Sequence, residues 1–518
     1  MTELDGTQTL GRWICDRAAT TPASIAIDDR GVLLDYKTLY ERASSLAVRL
    51  ADAGYGPGHR IATVSGNSAD HVVAFFACAL LGIAFVPLSW RLTPVELSDL
   101  IHRSGAPLVL VEDEHAALAR AAFSLMESGP ATAELGANGV ERRMPRCVSP
   151  VVRRPVRDDD PLLVIYTSGS EAAAKGVVLT HSNCFWNNVA LAQVMPITND
   201  DVILSVLPQY HVAAWNVQPL LAWWSGATVI LERSFHPSRV LQLIRDRRVT
   251  AMMGVPTQYR MLHEAPEWPD ADLTSLKTVL VGGATIPDDL ADAWTARGVG
   301  LTQGYGLTEA GPNVLTLPAD AVRVHPGAVG RPYPYVDVCL VDPETSLVLN
   351  GSATGELWVR GPSVFSEYLD DPVATARVRV DEWLRTGDLV HRDSDGIYRV
   401  VDRIKEIYVS GGENVSPAEV ERVLEAHPLV TAAAVVGVPD PVWGERGVAF
   451  IVRSGPLGED ELLGFARDRL ATFKLPVRTE FVDRLPRSTI EKVARGALRS
   501  RALQLLIADK ENAHDLAG

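Results

Sequence analysis

Paired cysteines, a basic excess and an apolar run of membrane length are all missing from this chain of 518 residues. The five cysteines, Cys15, Cys78, Cys147, Cys184 and Cys339, are scattered, and no two have CxxC spacing. An odd, dispersed set fits neither a disulfide framework nor a zinc site, and a reducing, cytoplasmic compartment is expected. Basic residues number 49 against 64 acidic ones, a formal charge of −15. Nucleic-acid binders present basic faces to phosphate, so nucleic acid is excluded as the main partner. A small anion is not excluded, because one local site can be positive on an acidic protein. The uncharged stretch VVAFFACALLGIAFVPL, residues 72–88, counts 17 residues. A spanning helix needs about 20, and Gly82 and Pro87 interrupt this run. It reads as a buried helix, a glycine turn and a buried strand, with no membrane span. The opening MTELDGTQTL has acids and no apolar core, so no secretory signal is expected there.

The residues present are 47% hydrophobic and 22% charged, near the globular average, so a sizeable core is expected. The length allows several domains. Short β-branched runs alternate with amphipathic ones. RIATVSG precedes the helical stretch after Asp70, LLVIYTSG precedes a helix beginning near Ser182, TAMMGVP leads into TQYRML, and TVLVGGA leads into PDDLADAWTARG. Strand, small-residue loop and helix in repeated order predict an α/β sheet with ligand loops at the strand ends. The character changes near Asp402. Short strands (GELWVRG, GIYRVVD) stand before it. After IYVSGG comes a helix that Ser416 caps, with Pro417 in its first turn and Glu419 completing a capping box. The tail then forms a small α+β core of its own.

Chemistry first shows in Tyr166-Thr-Ser-Gly-Ser-Glu-Ala-Ala-Ala-Lys-Gly176, which follows an apolar strand. Hydroxyls at Thr167, Ser168 and Ser170, free N–H groups around Gly169 and the cation of Lys175 are the parts of a polyphosphate cradle. It is not a Walker A loop, since Ala174 precedes the lysine and Gly176 follows it. Taken alone, the segment reads equally as a polar turn with a surface lysine.

Further motifs follow in order: GGATIP, GYGLTEAG, GELWVRGP, WLRTGDLV, DRIKEIYVSGGENVSPAEVE, HPLVTAAAVVGVPDPVWGE and LPRSTIEK. With the loop above, they resemble the acyl-adenylating superfamily, which includes acyl-CoA synthetases, stand-alone adenylation enzymes and firefly luciferase. The resemblance covers nearly the whole chain. It implies a large N-terminal domain, residues 1–402, of parallel and mixed sheets with helices and a β-rich subdomain, holding the ATP and acid sites. It also implies a small mobile α+β C-terminal domain, residues 403–518, carrying the catalytic lysine.

The roles below are those the resemblance implies. Thr308 contacts phosphate and Glu309 holds Mg²⁺, a hard cation that prefers carboxylate oxygen. Tyr305, between Gly304 and Gly306, stacks on adenine, and Gly282, Gly283 and Ala284 line its other side. Asp388 accepts from the ribose hydroxyls, and Arg403 contacts the nucleotide. Lys405 is the domain hinge, and Gly411 and Gly412 line the thiol channel. Lys492 stabilises the charge that builds as the substrate carboxylate attacks the α-phosphate and pyrophosphate leaves. His211 gates the acid pocket, which Trp215, Gly254, Val255, Pro256, Ala284 and Leu307 shape. Two motifs depart from the family pattern. Glu171, Ala172 and Ala174 replace Thr, Gly and Pro in the phosphate loop, and Glu491 replaces the glycine before the catalytic lysine. Both changes put carboxylates near phosphates. Neither removes a group the reaction needs.

No acid stands at Tyr210-His211-Val212, where amino-acid-activating relatives hold the substrate ammonium. A plain carboxylic acid, fatty or aryl, is therefore the expected substrate. It is activated by ATP and Mg²⁺ to acyl-AMP and passed to a thiol. The thiol is coenzyme A, or alternatively the phosphopantetheine of an acyl carrier protein. The other readings are a luciferase-like oxidative enzyme and an inactive nucleotide-binding homologue.

Overall fold

The computed structural model describes residues 6–136, 144–151, 154–167, 174–404, 406–410, 413–440, 443–467, 469–470, 472–487 and 493–515. The fold is mixed α/β and divides into two compact units. The first comprises residues 1–339, 358–386 and 395–398. The second comprises 340–357, 387–394 and 399–518. The change of sequence character near Asp402 lies inside the second unit, whose long continuous stretch begins at Arg399.

A nine-stranded and a seven-stranded sheet lie within the first unit. In the nine-stranded sheet, Val202–Ser205, Ala251–Gly254, Thr278–Val281 and Leu301–Gly306 run parallel side by side, and Asn313–Leu317 returns antiparallel beside the last. The seven-stranded sheet places Pro161–Thr167 between Ala84–Leu88 and the antiparallel Lys175–Thr180. The strand–loop–helix order read from the sequence is observed at three of the four sites named, whereas after Pro161–Thr167 a second strand, Lys175–Thr180, comes before the helix. Thr278–Val281 leads to the helix Asp288–Thr295, and Ala251–Gly254 leads to Pro256–His263. Tight helix starts follow from local chemistry. Pro256 occupies the first turn of its helix, and Thr180 and Asn183 form a capping box that starts His181–Val194 one residue before Ser182.

The apolar stretch at residues 72–88 divides where its glycine stands. Helix Ala69–Leu81 is capped by Ser68, whose hydroxyl accepts from the His71 N–H. It closes on Gly82 at φ 66°, a left-handed conformation that glycine adopts without a Cβ penalty. Strand Ala84–Leu88 is buried along its whole length between Arg60–Val64 and Pro161–Thr167. Burial on both faces explains why the stretch lacks an amphipathic pattern. Among the described residues no helix is long and apolar enough to cross a membrane.

In the second unit, the hairpin Val430–Asp440 and Gly444–Arg453 belongs to a five-stranded sheet, with Val430–Asp440 at the end of the strand order. Alternate residues serve opposite faces. Ala433 and Val435 pack with Val420 and Leu424 of the helix Pro417–Glu425. Ala434 and Val436 pack with Leu498 and Ala502 of the helix Arg495–Asp515. Ser416 caps Pro417–Glu425 by accepting from the Glu419 N–H at 3.3 Å. The expected capping box is only half formed, because the Glu419 carboxylate turns to Lys474, at 2.7 Å to each oxygen. A charge-assisted pair outcompetes one neutral N–H. The Ser416 hydroxyl donates to Asp402, which also accepts from the Ala418 N–H at 3.0 Å.

Candidate active site

The phosphate loop is held by a two-strand frame. Thr167 ends one strand and Lys175 begins the next, and the two are cross-strand partners. The Thr167 hydroxyl reaches the Lys175 carbonyl at 3.5 Å. Ser168, Gly169, Ser170, Glu171 and Ala172 lie outside the described residues, so what is visible is the frame that brings both ends of the loop together.

Against this frame lies the turn Thr308–Ala310, beside strand Lys175–Thr180. Glu309 accepts from the Tyr368 hydroxyl at 2.8 Å, and its carbonyl accepts from the Phe365 N–H at 2.8 Å. The Lys175 ammonium stands 5.3 Å from the Tyr368 ring centroid, within cation–π range. Lysine, phenol and carboxylate thus form one connected cluster at the edge of the phosphate-loop frame. Close backbone approach fixes the turn. A Cβ on Gly306 would lie 1.7 Å from the Pro312 carbonyl oxygen, and Gly311 sits at φ +99° with Ser363 O 2.7 Å from a Cβ.

The strand ends of the parallel sheet supply the next layer. Gly282 donates to the Gly254 carbonyl at 3.0 Å. Gly283 takes φ +80°. Gly304 and Tyr305 pair with Thr316 and Leu315 on the return strand. Gln303, 2% exposed, joins these segments. Its amide donates to Ala284 O at 3.1 Å and Gly304 O at 2.9 Å, and its Oε1 accepts from the Ile286 N–H at 2.8 Å. Gly283 and Ala284 are exposed, and Tyr305 and Leu307 are half-buried. A flat group therefore has an open ledge of backbone and one ring to lie against.

The segment expected to gate the acid pocket is a turn. His211 donates its N–H to Pro208 O at 3.0 Å, and a short helix Ala213–Asn216 follows. His211 is half-buried, with its ring 4.5 Å from that of Tyr210. Trp215 is fully buried. Its ring stacks on Phe75 at 4.6 Å and meets Phe85 and His71, and its N–H donates to Gln209 O at 2.6 Å. The indole is committed to this aromatic core. Val255 and Pro256 are half-buried at the head of their helix, and a Cβ on Gly254 would press on Tyr259 and Gln258.

Asp388 and Arg403 belong to the second unit and meet there. The guanidinium Nε lies 3.0 Å from the carboxylate, whose side chain is 6% exposed. Lys405, Gly411, Gly412, Glu491 and Lys492 lie outside the described residues. The second unit does describe the residues on either side of 488–492, where Arg487 and Val493 form an antiparallel bridge.

Two family models match this chain: AMP-binding enzyme over residues 15–369, and AMP-binding enzyme C-terminal domain over 419–492. This chain belongs to the AMP-binding enzymes. It is 41% identical over 500 residues to a feruloyl-CoA synthase of an Amycolatopsis species, covering 95% of this chain and 99% of that one. It is 35% identical to the indoleacetate–CoA ligase of Aromatoleum aromaticum, with 95% and 97% covered. Its structure matches that of ATP-bound MatB from Rhodopseudomonas palustris with a TM-score of 0.85 at 30% identity, covering 97% and 99% of the two chains. The protein is an AMP-forming acid–thiol ligase, which activates a carboxylic acid with ATP and passes the acyl group to a thiol.

Within this AMP-binding enzyme, sequence reasoning overlooked Tyr368 and Gln303. Tyr368 partners Glu309 from 59 positions away, and no local pattern announces such a pair. Gln303 stands immediately before GYG, and only its burial shows that its amide must find partners there.

Proposed function

We propose that this AMP-binding enzyme adenylates an aryl-substituted carboxylic acid and transfers it to coenzyme A. The observation that carries this reading is the likeness over 95% of the chain to ligases named for feruloyl and indoleacetyl groups. It is supported by a pocket segment, Tyr210-His211-Val212, that holds no carboxylate for a substrate ammonium. The Phe75–Phe85–Trp215 core makes the ground beneath that segment rigid and apolar.

In this reading Thr167, Ser168, Gly169, Ser170 and Lys175 hold the phosphates. Thr308 and Glu309 serve phosphate and metal, and Gly282, Gly283, Ala284, Gly304, Tyr305 and Gly306 receive adenine. Asp388 and Arg403 serve the ribose and nucleotide. His211, Gly254, Val255 and Leu307 bound the acid, while Trp215, fully buried against Phe75 and Phe85, supports the pocket from the core and does not line it. Mg²⁺ keeps several waters and phosphate oxygens in its shell, so a site offering one carboxylate, Glu309, fits it. Bound there, it would neutralise phosphate charge. The acid's own carboxylate is the nucleophile: its oxygen bonds the α-phosphorus as the bond to pyrophosphate breaks. Lys492 stabilises the charge gathering on the phosphoryl oxygens. The domain reading keeps residues 1–402 for ATP and acid and 403–518 as a mobile unit hinged at Lys405, with Gly411 and Gly412 on the thiol path. Five scattered cysteines without CxxC spacing suit a cytoplasmic setting.

The test is pyrophosphate release with MgATP across aliphatic, aryl and amino acids, with and without CoA. Aryl-acid-dependent release, with an aryl-CoA product only when CoA is present, is expected. Release only with aliphatic acids overturns the aryl assignment. Acid-dependent release without a CoA ester overturns the acceptor in favour of a carrier protein.

A further inference from the structure

We propose that Asn216 is a positioning residue that sets the distance between the acid-binding segment and the Thr308–Glu309 turn. The side chain is fully buried, and every donor and acceptor it owns is used. Its amide donates to Gly311 O at 2.8 Å and to Cys184 Sγ at 3.2 Å, and its Oδ1 accepts from Asn188 Nδ2 at 3.3 Å. The Asn216 carbonyl accepts from Asn187 Nδ2 at 2.6 Å. Asn187 Oδ1 in turn accepts from the Asn313 N–H and Nδ2 at 3.3 and 3.0 Å. Displacing Asn216 breaks these bonds, and each buried polar group left unpaired costs about 1–3 kcal/mol.

The three segments that meet here give the network its meaning. Asn216 ends the short helix that follows His211. Gly311 closes the turn carrying Thr308 and Glu309, with its N–H on Thr308 O at 3.1 Å. Cys184, Asn187 and Asn188 lie on the helix His181–Val194, which continues directly from the strand that Lys175 begins. One amide therefore fastens the acid side to the metal and phosphate side. Adenylation needs the carboxylate oxygen and the α-phosphorus in near-attack geometry, and a displacement of about 1 Å can cost on the order of 100-fold in rate. Transfer from a finished acyl-adenylate involves no attack on the α-phosphorus and no departure of pyrophosphate, so it does not depend on that near-attack distance.

The inference rests on acid adenylation and not on the acid being aromatic. The assay uses whichever acid the wild-type enzyme turns over, so rejection of aryl acids leaves its outcome readable. ATP–pyrophosphate exchange, thioester formation from synthetic acyl-adenylate, and thermal midpoints are measured for Asn216→Ala and Asn188→Ala. Asn188→Ala removes a bond to the same amide without touching Gly311. Asn216→Ala is expected to lower exchange kcat by on the order of 100-fold, with KM for ATP and the thioester step within about threefold. Asn188→Ala is expected to lower the midpoint and keep exchange within about threefold. If Asn216→Ala does not fold, Asn216→Ser, which keeps one hydroxyl donor, carries the same comparison. Equal loss in both half-reactions, loss that tracks the midpoint across both sites, or unchanged exchange would each overturn the proposal.

Discussion

Glu309 and Tyr368 separate two kinds of contribution within one hydrogen bond of 2.8 Å. In the proposed reading the carboxylate is the metal's protein ligand, and the phenol orients it. Glu309→Gln keeps shape and hydrogen bonding but removes the charge. It is expected to lower acid-dependent pyrophosphate release by about 100-fold or more, the scale of losing a charge-stabilising group. Tyr368→Phe removes one neutral donor, worth about 0.5–1.5 kcal/mol, and is expected to cost less than about tenfold. Equal losses at both positions would deny Glu309 its metal role. Lys492→Ala is expected to abolish adenylation while ATP affinity, read by titration, stays near wild type; a wild-type adenylation rate would remove Lys492 as the catalyst. The sequence points to residues of this kind through short motifs such as GYGLTEAG and LPRSTIEK, and Lys492 itself lies outside the described residues. Tyr368 and Asn216 were not legible, because their partners are 59 and 95 positions away.

At the scale of elements, legibility followed local rules. Residues 72–88 declared helix, turn and strand through Gly82 and Pro87, and Ser416 and Pro417 marked a helix start, while the Thr180 cap that starts His181–Val194 was not singled out. The half-formed box at Ser416 was not readable, since Lys474, which takes the Glu419 carboxylate, arrives from another element. The turn joining Leu301–Gly306 to Asn313–Leu317 makes a sharper prediction. A Cβ on Gly306 would stand 1.7 Å from Pro312 O, a backbone atom that cannot swing away. Gly306→Ala must therefore push the two strands apart, at an overpacking cost of about 1–3 kcal/mol or more, and move Tyr305 and Thr308 together. The expected result is a lower thermal midpoint with loss of both adenine affinity and adenylation. A variant with wild-type midpoint and ATP affinity would show that the return strand yields freely.

At the scale of the whole molecule, the pattern of strands and helices announced an α/β fold, but not that residues 340–357 and 387–394 join the C-terminal unit. Assignment of separated segments to one body depends on long-range packing that period and composition do not encode. Stability against acid also belongs to this scale, because it sums over buried groups the sequence could not single out. His71 and His181 are 1% and 0% exposed. Burial drives each imidazole down to about 4 from 6.5, more than Gln209's hydrogen bond to His71 or the attraction of Asp160 for His181 can restore. Both are neutral in the folded enzyme above that value, whereas the unfolded chain takes up protons on them below about 6.5. The unfolded state thus binds more protons between about pH 6.5 and 4, and stability must fall as pH falls through that window. Each histidine contributes on the order of 3 kcal/mol across it, at about 1.4 kcal/mol per pH unit. His181 Nδ1 accepts from the Leu10 N–H at 3.0 Å, a bond that an asparagine oxygen can replace. His181→Asn should therefore flatten the dependence of the urea midpoint on pH between about 4 and 6.5, whatever its effect at pH 7. An unchanged slope would mean that carboxylates, not this histidine, govern acid unfolding of the first unit.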